Sequence, residues 1–504
     1  MSLADKLNYL KQTKNLIKQA INNKGGTLTD DSSFRSYADE INNIKVPIVE
    51  KDINFYDCDF TLLYSYTLEE IQNLSELPPL PTREGLICQG WNWTLSDIQA
   101  YGKECDIGAY YITDDESTRI YVELEDGGLS PTLNITQSVA NGVTVDWGDG
   151  SPTETSSAEN ASVNLQHTYQ NAGNYIISLQ PINETTITLK GTTTGGSYIF
   201  HDLNITDGQY YENVSYLNTI KKIEIGKNTI ISDSAFGNCY SLEEILIPNT
   251  VTSMGRYAFN YCYSLKSIVL PYNMTTFSSN MFVQCCLLKN IILPSTFTTF
   301  GTYIFTECYN LEKIIFPDSV TQLGGYFFSN CYALTKVVLS NHITWLSQYC
   351  FSGCRSLRDF DFSNISVVYG SAFSNCLSLE KAYMPNVSTI SRYAFSQCYS
   401  LKSVVLPSRL TRIEQYTFSQ CSSLTSIKIP STVNAIYTYA FSRCTGLRKV
   451  DFSEHTAIPT LQSSVFNNIP TDCKIIVPDN LYDSWIVATN WSDIASLIVK
   501  ASEV

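Results

Sequence analysis

Residues 256–271 read RYAFNYCYSLKSIVLP, and residues 392–407 read RYAFSQCYSLKSVVLP. The two stretches begin 136 residues apart, and looser versions of the same phrase fill the interval. Ten cysteines mark it: Cys239, Cys262, Cys285, Cys308, Cys331, Cys354, Cys376, Cys398, Cys421 and Cys444, in steps of 23 residues with two steps of 22. A phenylalanine stands three positions before each of these cysteines and a leucine three after, and a short apolar segment such as Ile245-Leu246-Ile247 follows, often closed by proline. Self-similarity at this period predicts a solenoid. One such unit is too small to bury its own Phe, Leu and Ile, whereas stacked units bury them in one column. The period-two segment predicts a short strand. Successive strands then pair in parallel about 4.8 Å apart, so about ten rungs make a rod on the order of 50 Å long. The proline ends each strand and turns the chain. Ile220 to Ile225 predicts the strand of a lead-in rung, and Cys473 to Pro478 a strand without the full motif. The following LYDSWIVATNWSDIASLIV predicts a helical lid over the last rung.

A chain of 504 residues is too long for one ordinary domain and predicts three or four folded units. A net charge of −15 argues against nucleic acid or an anionic membrane as partner, since either needs a basic face. No apolar run reaches the roughly 18 residues of a membrane span, so no membrane insertion is expected. The opening MSLADKLNYLKQTKNLIKQA mixes Lys and Asn into its apolar residues and is not a secretory signal, which predicts synthesis and retention in a cytoplasm. The sixteen cysteines include no Cys-x-x-Cys pair, and His167, His201, His342 and His455 are scattered, so neither a metal site nor a cofactor is expected. Two readings of the cysteine column stand. Rungs about 5 Å apart lie within disulfide range, but side chains in parallel register lack the approach a bridge needs. The preferred reading is a file of reduced, buried thiols acting as small apolar residues.

Ahead of the repeat, residues 1–45 predict a helical hairpin, with a seam of Leu3, Leu7, Leu10, Lys14, Ile17 and Ile21. It serves docking or oligomerisation, or packs on its own chain. Residues 46–117 predict a small α/β module. There Trp91 and Trp93, two apart, would share one face of an extended strand, either as core or as an exposed sugar platform. Residues 118–192 carry VDWGDGS (145–151) and QHTYQNAGNYIISL (166–179), strand-and-turn signals of a β-sandwich. The solenoid takes residues 193–459 and a C-terminal cap residues 460–504. The fold class expected is thus multidomain and mainly β.

The repeat phrase AFxxCxxLxxIxLP resembles the leucine-rich repeats of bacterial surface proteins called BspA-like, over roughly residues 215–478. WGDG followed by HTY and a spaced Gly-x-Tyr is similar to the polycystic-kidney-disease type of immunoglobulin-like module, which implies structural, turn-holding roles for Asp149 and His167. The order of hairpin, FYDCD/GWNW module, sandwich and solenoid resembles tail- or fibre-associated proteins of phages and prophages of gut bacteria. Those resemblances imply a virion protein assembled in a host cytoplasm, released by lysis and folded with free thiols.

Two stripes are candidates for recognition. Two positions before each Phe, the repeat favours tyrosine: Tyr257, Tyr303, Tyr326, Tyr349, Tyr393, Tyr416 and Tyr439. Tyrosine joins contact area to a hydroxyl at low entropy cost, which suits glycans or proteins. The alternative is a packing ladder whose hydroxyls bond neighbouring loops. In the middle of each strand stand Leu246, Val269, Ile292, Ile315 and Val338, then Asp361, Tyr383, Val405, Lys428 and Asp451. Five exposed aliphatics in a row exceed what a monomer tolerates, so that face meets another surface or is covered internally. No convergent set of carboxylates or nucleophile and base is visible, and no enzymatic activity is expected. The expected function is a virion-associated fibre or adhesin, docked to other virion proteins by its hairpin, with homo-oligomerisation open. It meets a host-surface glycan or protein through the solenoid. The alternatives are a bacterial cell-surface adhesin binding host or matrix proteins and, third, a glycan-active enzyme.

Overall fold

Each repeat passes twice through the left-handed backbone region, and all but the rung of Asp361 pass through a strand of three or four residues. In the rung starting at Tyr303, for example, Tyr303 has φ 58° and Glu307 φ 61°, and the strand is Lys313–Ile315. These turns bring the three conserved spacings together in one interior. In a computed structural model that describes residues 52–125, 130–190, 200–201 and 219–504, the ten Phe, ten Cys and ten Leu of the ruler are all buried. The predicted hairpin of residues 1–45 lies outside the described residues.

The phenylalanines form one continuous stack from Phe236 to Phe466, with successive centroids 5.3–5.7 Å apart. That is the offset-stacked range for aromatic pairs. Phe466 adds an eleventh rung to the ten read from cysteine spacing. In this rung Ile469 stands at the cysteine position, and the buried Cys473 lies just before the strand Lys474–Val477. Replacing Phe351, which stacks on both Phe328 and Phe373 at 5.3 Å, with alanine should cost about 3–5 kcal/mol in the solenoid's urea transition. A cost below 1 kcal/mol would contradict a shared dry column.

The cysteine column has its own chemistry. From Cys262 to Cys444, each Sγ donates to the carbonyl of the Phe one rung earlier, at 3.1–3.3 Å. A thiol is therefore small enough for the interior and satisfies a buried carbonyl that alanine would leave to its one turn hydrogen bond. All sixteen cysteines are free. Burial holds the column thiols protonated: Cys239, Cys398 and Cys444 are pushed up to about 12, and Cys262, Cys285, Cys308, Cys331, Cys376 and Cys421 well above their ordinary value.

Both ends of the column are closed. At the N-terminal end stands a β-sandwich with strands β5 (Thr118–Leu124), β6 (Thr132–Gln137), β7 (Val143–Asp146), β8 (Glu154–Thr155), β9 (Ser162–Gln166), β10 (Gly173–Pro181), β11 (Ile187–Leu189) and β12 (Phe200–His201). Its two sheets run on into the solenoid. Strand β13 (Ile220–Glu224) pairs antiparallel with β5 and in parallel with β15 (Glu244–Leu246), while β14 (Thr229–Ile231) pairs in parallel with β11. The lead-in rung thus splits its strands between the two sheets, and no bare edge is left at that end. At the C-terminal end the predicted helical lid is present, but broken into short pieces and followed by a strand. The helical pieces are single turns, Tyr482–Trp485 among them, and Asn490 at φ 64° interrupts the segment. The plug is made by Trp485 and Trp491, both buried on Phe452, and the strand Ile498–Lys500 extends the sheet by one more member.

The α/β module comprises β1 (Ile53–Tyr56), β2 (Leu62–Tyr66), β3 (Leu86–Trp91) and β4 (Cys105–Thr113), in the order β2-β1-β4-β3. Helices α1 (Leu68–Gln72) and α2 (Leu95–Tyr101) begin at capping boxes, Thr67 with Glu70 and Thr94 with Asp97. Strand β3 ends at Trp91, so the two tryptophans do not share a strand face. Trp91 packs on Phe55 inside the module, whereas the Trp93 indole reaches the solenoid.

Candidate functional site

The solenoid's strand face is divided. Over the rungs of Leu246, Val269, Ile292, Ile315 and Val338 it is covered by the module. Leu246 and Ile315 join the core of Ile107, Ala109 and Trp93, and Val269 and Ile292 pack with Tyr110. The fit is close: a Cβ on Gly108 would lie 2.3 Å from Val269 Cγ1. Three donors read three consecutive rungs. Asn92 Nδ2 donates to Leu270 O at 3.0 Å, Trp93 Nε1 to Leu293 O at 2.8 Å, and the Tyr101 hydroxyl to Phe316 O at 3.0 Å. Lys313 pairs with Asp106 at 2.9 Å and Lys336 with Glu104 at the rim. The aliphatic stripe is therefore an internal interface. Past it, the stripe turns polar and is open to solvent, with Tyr383 65% and Val405 49% exposed between charged neighbours such as Lys381 and Lys428.

The seven candidate tyrosines lie on another side of the rungs, and all seven occupy the first left-handed position, with φ between 56° and 60°. Its occupants along the rod are Ser234, Tyr257, Asn280, Tyr303, Tyr326, Tyr349, Ser371, Tyr393, Tyr416, Tyr439 and Ser464. The second left-handed position, four residues later, holds mainly Asn and Gln, such as Asn238, Gln284, Asn330, Asn375, Gln397 and Gln420. Short polar residues are what this conformation normally selects. The tyrosines form two stacked triplets, Tyr303–Tyr326–Tyr349 and Tyr393–Tyr416–Tyr439, with centroids 4.5–4.9 Å apart. None of the seven hydroxyls has a partner among the described residues. The rings do pack as a ladder, but their hydroxyls face water instead of bonding neighbouring loops. The left-handed backbone was not visible in the spacing, although the isolated Asn280 at a tyrosine position was a signal for it.

The other candidates for chemistry resolve into structure. His167 Nε2 meets Asp149 Oδ2 at 2.7 Å, and the Ser151 amide donates to Asp149 Oδ1 at 3.0 Å, so the pair holds the turn after β7. Its bonds from Ser151 and then from His167 hold the Asp149 carboxyl down at about 2. A crevice of about 270 Å³ between module and solenoid, lined by Tyr56, Phe60, Trp93 and Asp106, contains one carboxylate, already paired with Lys313. Two crevices at the C-terminal cap bring no two carboxylates together. Among the described residues no three His, Cys, Asp or Glu converge as metal ligands, and no helix is long and apolar enough to cross a membrane.

The sequence matches the BspA-type leucine-rich repeat region in 6 copies, over residues 204–309, 275–402 and 368–484. Among solved structures, a leucine-rich repeat protein from Bacteroides ovatus is 21% identical, with 56% of this chain and 94% of that one covered and a TM-score of 0.29. A leucine-rich cell surface protein from Faecalibacterium prausnitzii is 22% identical, with 63% and 90% covered and a TM-score of 0.33. The pneumococcal vaccine antigen PcpA is 14% identical, with 64% and 84% covered and a TM-score of 0.38. No curated protein matches the sequence. The repeat matches run from residue 204 to residue 484, more than half of the chain. This chain belongs to the BspA-type leucine-rich repeat family.

Proposed function

We propose that this chain is a non-enzymatic attachment protein that binds a cell-surface glycan or protein along the tyrosine-bearing side of its solenoid. The observation that carries this reading is the choice of tyrosine at a left-handed position. A bulky residue there costs about 1–3 kcal/mol. A stacked ring returns about 0.5–1.5 kcal/mol, and Tyr257 has no stacked neighbour in the ladder at all. Folding alone would favour the Asn found at 280. The net preference for tyrosine is explained by a ligand that uses its ring and hydroxyl.

In this reading the chain is a virion-associated fibre. The N-terminal 45 residues dock it to other virion proteins, and the sandwich, whose motif resembles the polycystic-kidney-disease type, spaces it. The resemblance to bacterial surface proteins supports a second location, as a bacterial cell-surface adhesin. The test is the double substitution Tyr326→Asn with Tyr349→Asn, which keeps a residue that tolerates the backbone. Labelled full-length chain is applied to a panel of gut bacteria and to epithelial cells and matrix proteins. Binding is expected to fall at least tenfold while the melting temperature moves by only a few degrees. Undiminished binding would remove the tyrosines from the site. Wild-type binding to bacteria favours the fibre, and binding to epithelium or matrix favours the adhesin.

A further inference from the structure

The tyrosine ladder is broken twice, and each break is one ring wide. Asn280 separates Tyr257 from Tyr303, and Ser371 separates Tyr349 from Tyr393. Extending the 4.5–4.9 Å ring spacing of the adjoining stacks over two rungs gives a separation of about 9–10 Å across each break. Around the first break the flanking rings are the more open for it: Tyr257 is 43% and Tyr303 37% exposed. At the second, the missing ring coincides with a missing side chain. Gly370 precedes Ser371, and a Cβ built on it meets nothing closer than Arg392 O at 3.5 Å. Arg392 lies beside this gap, its Cγ 3.9 Å from that Cβ position, and makes no ion pair with any described residue.

We propose that these breaks are slots that each take one pyranose ring of a glycan between two tyrosine faces, with Arg392 donating to a hydroxyl or carboxylate of the sugar at the second slot. The proposal rests on the attachment reading above and specifies its ligand. The width decides between ring types. A flat aromatic ring in contact with both faces spans about 7–8 Å, twice the optimal carbon–carbon separation, and would be loose here. A puckered saturated ring, which projects atoms on both sides, fills the extra space and presents C–H groups to both faces. Its equatorial hydroxyls then lie in the plane of the slot, level with the unpartnered tyrosine hydroxyls of neighbouring rungs. The two slots stand four rungs, about 19 Å, apart on one column, so a single polysaccharide long enough to reach both gains avidity from the rigid spacing.

The slot can be closed without disturbing the backbone, because Ser371 has φ 57° and seven sister positions hold tyrosine at φ 56–60°. Full-length wild type, Ser371→Tyr and Tyr393→Asn are applied to an array of immobilised neutral, amino-sugar and uronate oligosaccharides, with a melting curve for each. Wild type is expected to retain at least one class of pyranose oligosaccharide, and both variants to bind it at least tenfold more weakly. Ser371→Tyr should melt at or above the wild-type temperature. Failure of wild type to bind any array glycan overturns the slots, as does wild-type affinity in both variants. Should Ser371→Tyr fail to fold, Tyr393→Asn decides. The cell-binding result for Tyr326 and Tyr349 stands separately: loss there with a blank array leaves the attachment reading intact and assigns the ladder to a protein partner.

Discussion

Between pH 8 and pH 10 the folded chain is expected to lose on the order of 10 kcal/mol of stability, enough to unfold a typical domain. The cause is the cysteine column. Each of its thiols has an ordinary value near 9, and burial raises it in the folded state to about 12 in Cys239, Cys398 and Cys444 and well above the ordinary value in Cys262 and Cys285. A raised folded value means the stabilising contribution is complete below pH 9. It drains away as pH rises from there towards 12, because the unfolded chain sheds protons that the folded one keeps. One pH unit above 9 costs about 1.4 kcal/mol per thiol, and ten thiols act together. Urea titrations at pH 8, 9 and 10 measure the slope. Replacing five column cysteines with alanine should halve it, because alanine has no proton to lose. A midpoint indifferent to pH over this range would mean that the thiols ionise inside the fold, and the sealed column would be refuted.

Replacing Trp93 with alanine is expected to cost about 3–5 kcal/mol, as for other buried tryptophans, and to release the module from the strand face. The indole fills the junction between α2 and the third covered rung, and its N–H is spent on Leu293 O. With the module released, Val269 and Ile292 lose the cover of Tyr110 and the face becomes a contiguous apolar patch. Amide exchange should accelerate at Ser267–Val269 and Asn290–Ile292 and stay unchanged at Ser403–Val405 and Ser426–Lys428, which the module never touches. Gly108→Val is the companion variant: it drives a side chain into Val269 and should produce the same local pattern. Uniform acceleration along the whole rod would show that the module stabilises the solenoid globally and not as a local cover.

The parts legible from the residues are those fixed by period. Phe, Cys and Leu at constant spacing could only stack, and they do. The change in the strand stripe from Leu246, Val269, Ile292, Ile315 and Val338 to Asp361 and Lys428 marked where a cover must end, but not what the cover was. Nothing in GWNW or DIGAYY announces a target more than 150 residues away, because Asn92, 178 residues from Leu270, and Trp93, 200 from Leu293, bind backbone carbonyls, which every rung offers alike. The C-terminal lid was legible as a cover but not in its form: it consists of short helical pieces on either side of the left-handed Asn490, with Trp485 seated on Phe452 and Trp491 reaching Phe466. The tyrosines were found by spacing alone. Their left-handed backbone, which distinguishes them from mere surface residues, is set by the turn and leaves no mark on the spacing.

The closed ends of the column have an evolutionary consequence. The sandwich meets the lead-in rung and the tryptophan plug the last two rungs, through Phe452 and Phe466, so an in-frame duplication or deletion of a repeat between them leaves both closures unaltered. Near-identical phrases such as those at 256–271 and 392–407 are what a duplication of whole repeats would leave behind. Beyond the five rungs that the module covers in register, the rod can therefore lengthen or shorten in whole-repeat quanta, carrying tyrosines and gaps with it, without a new fold.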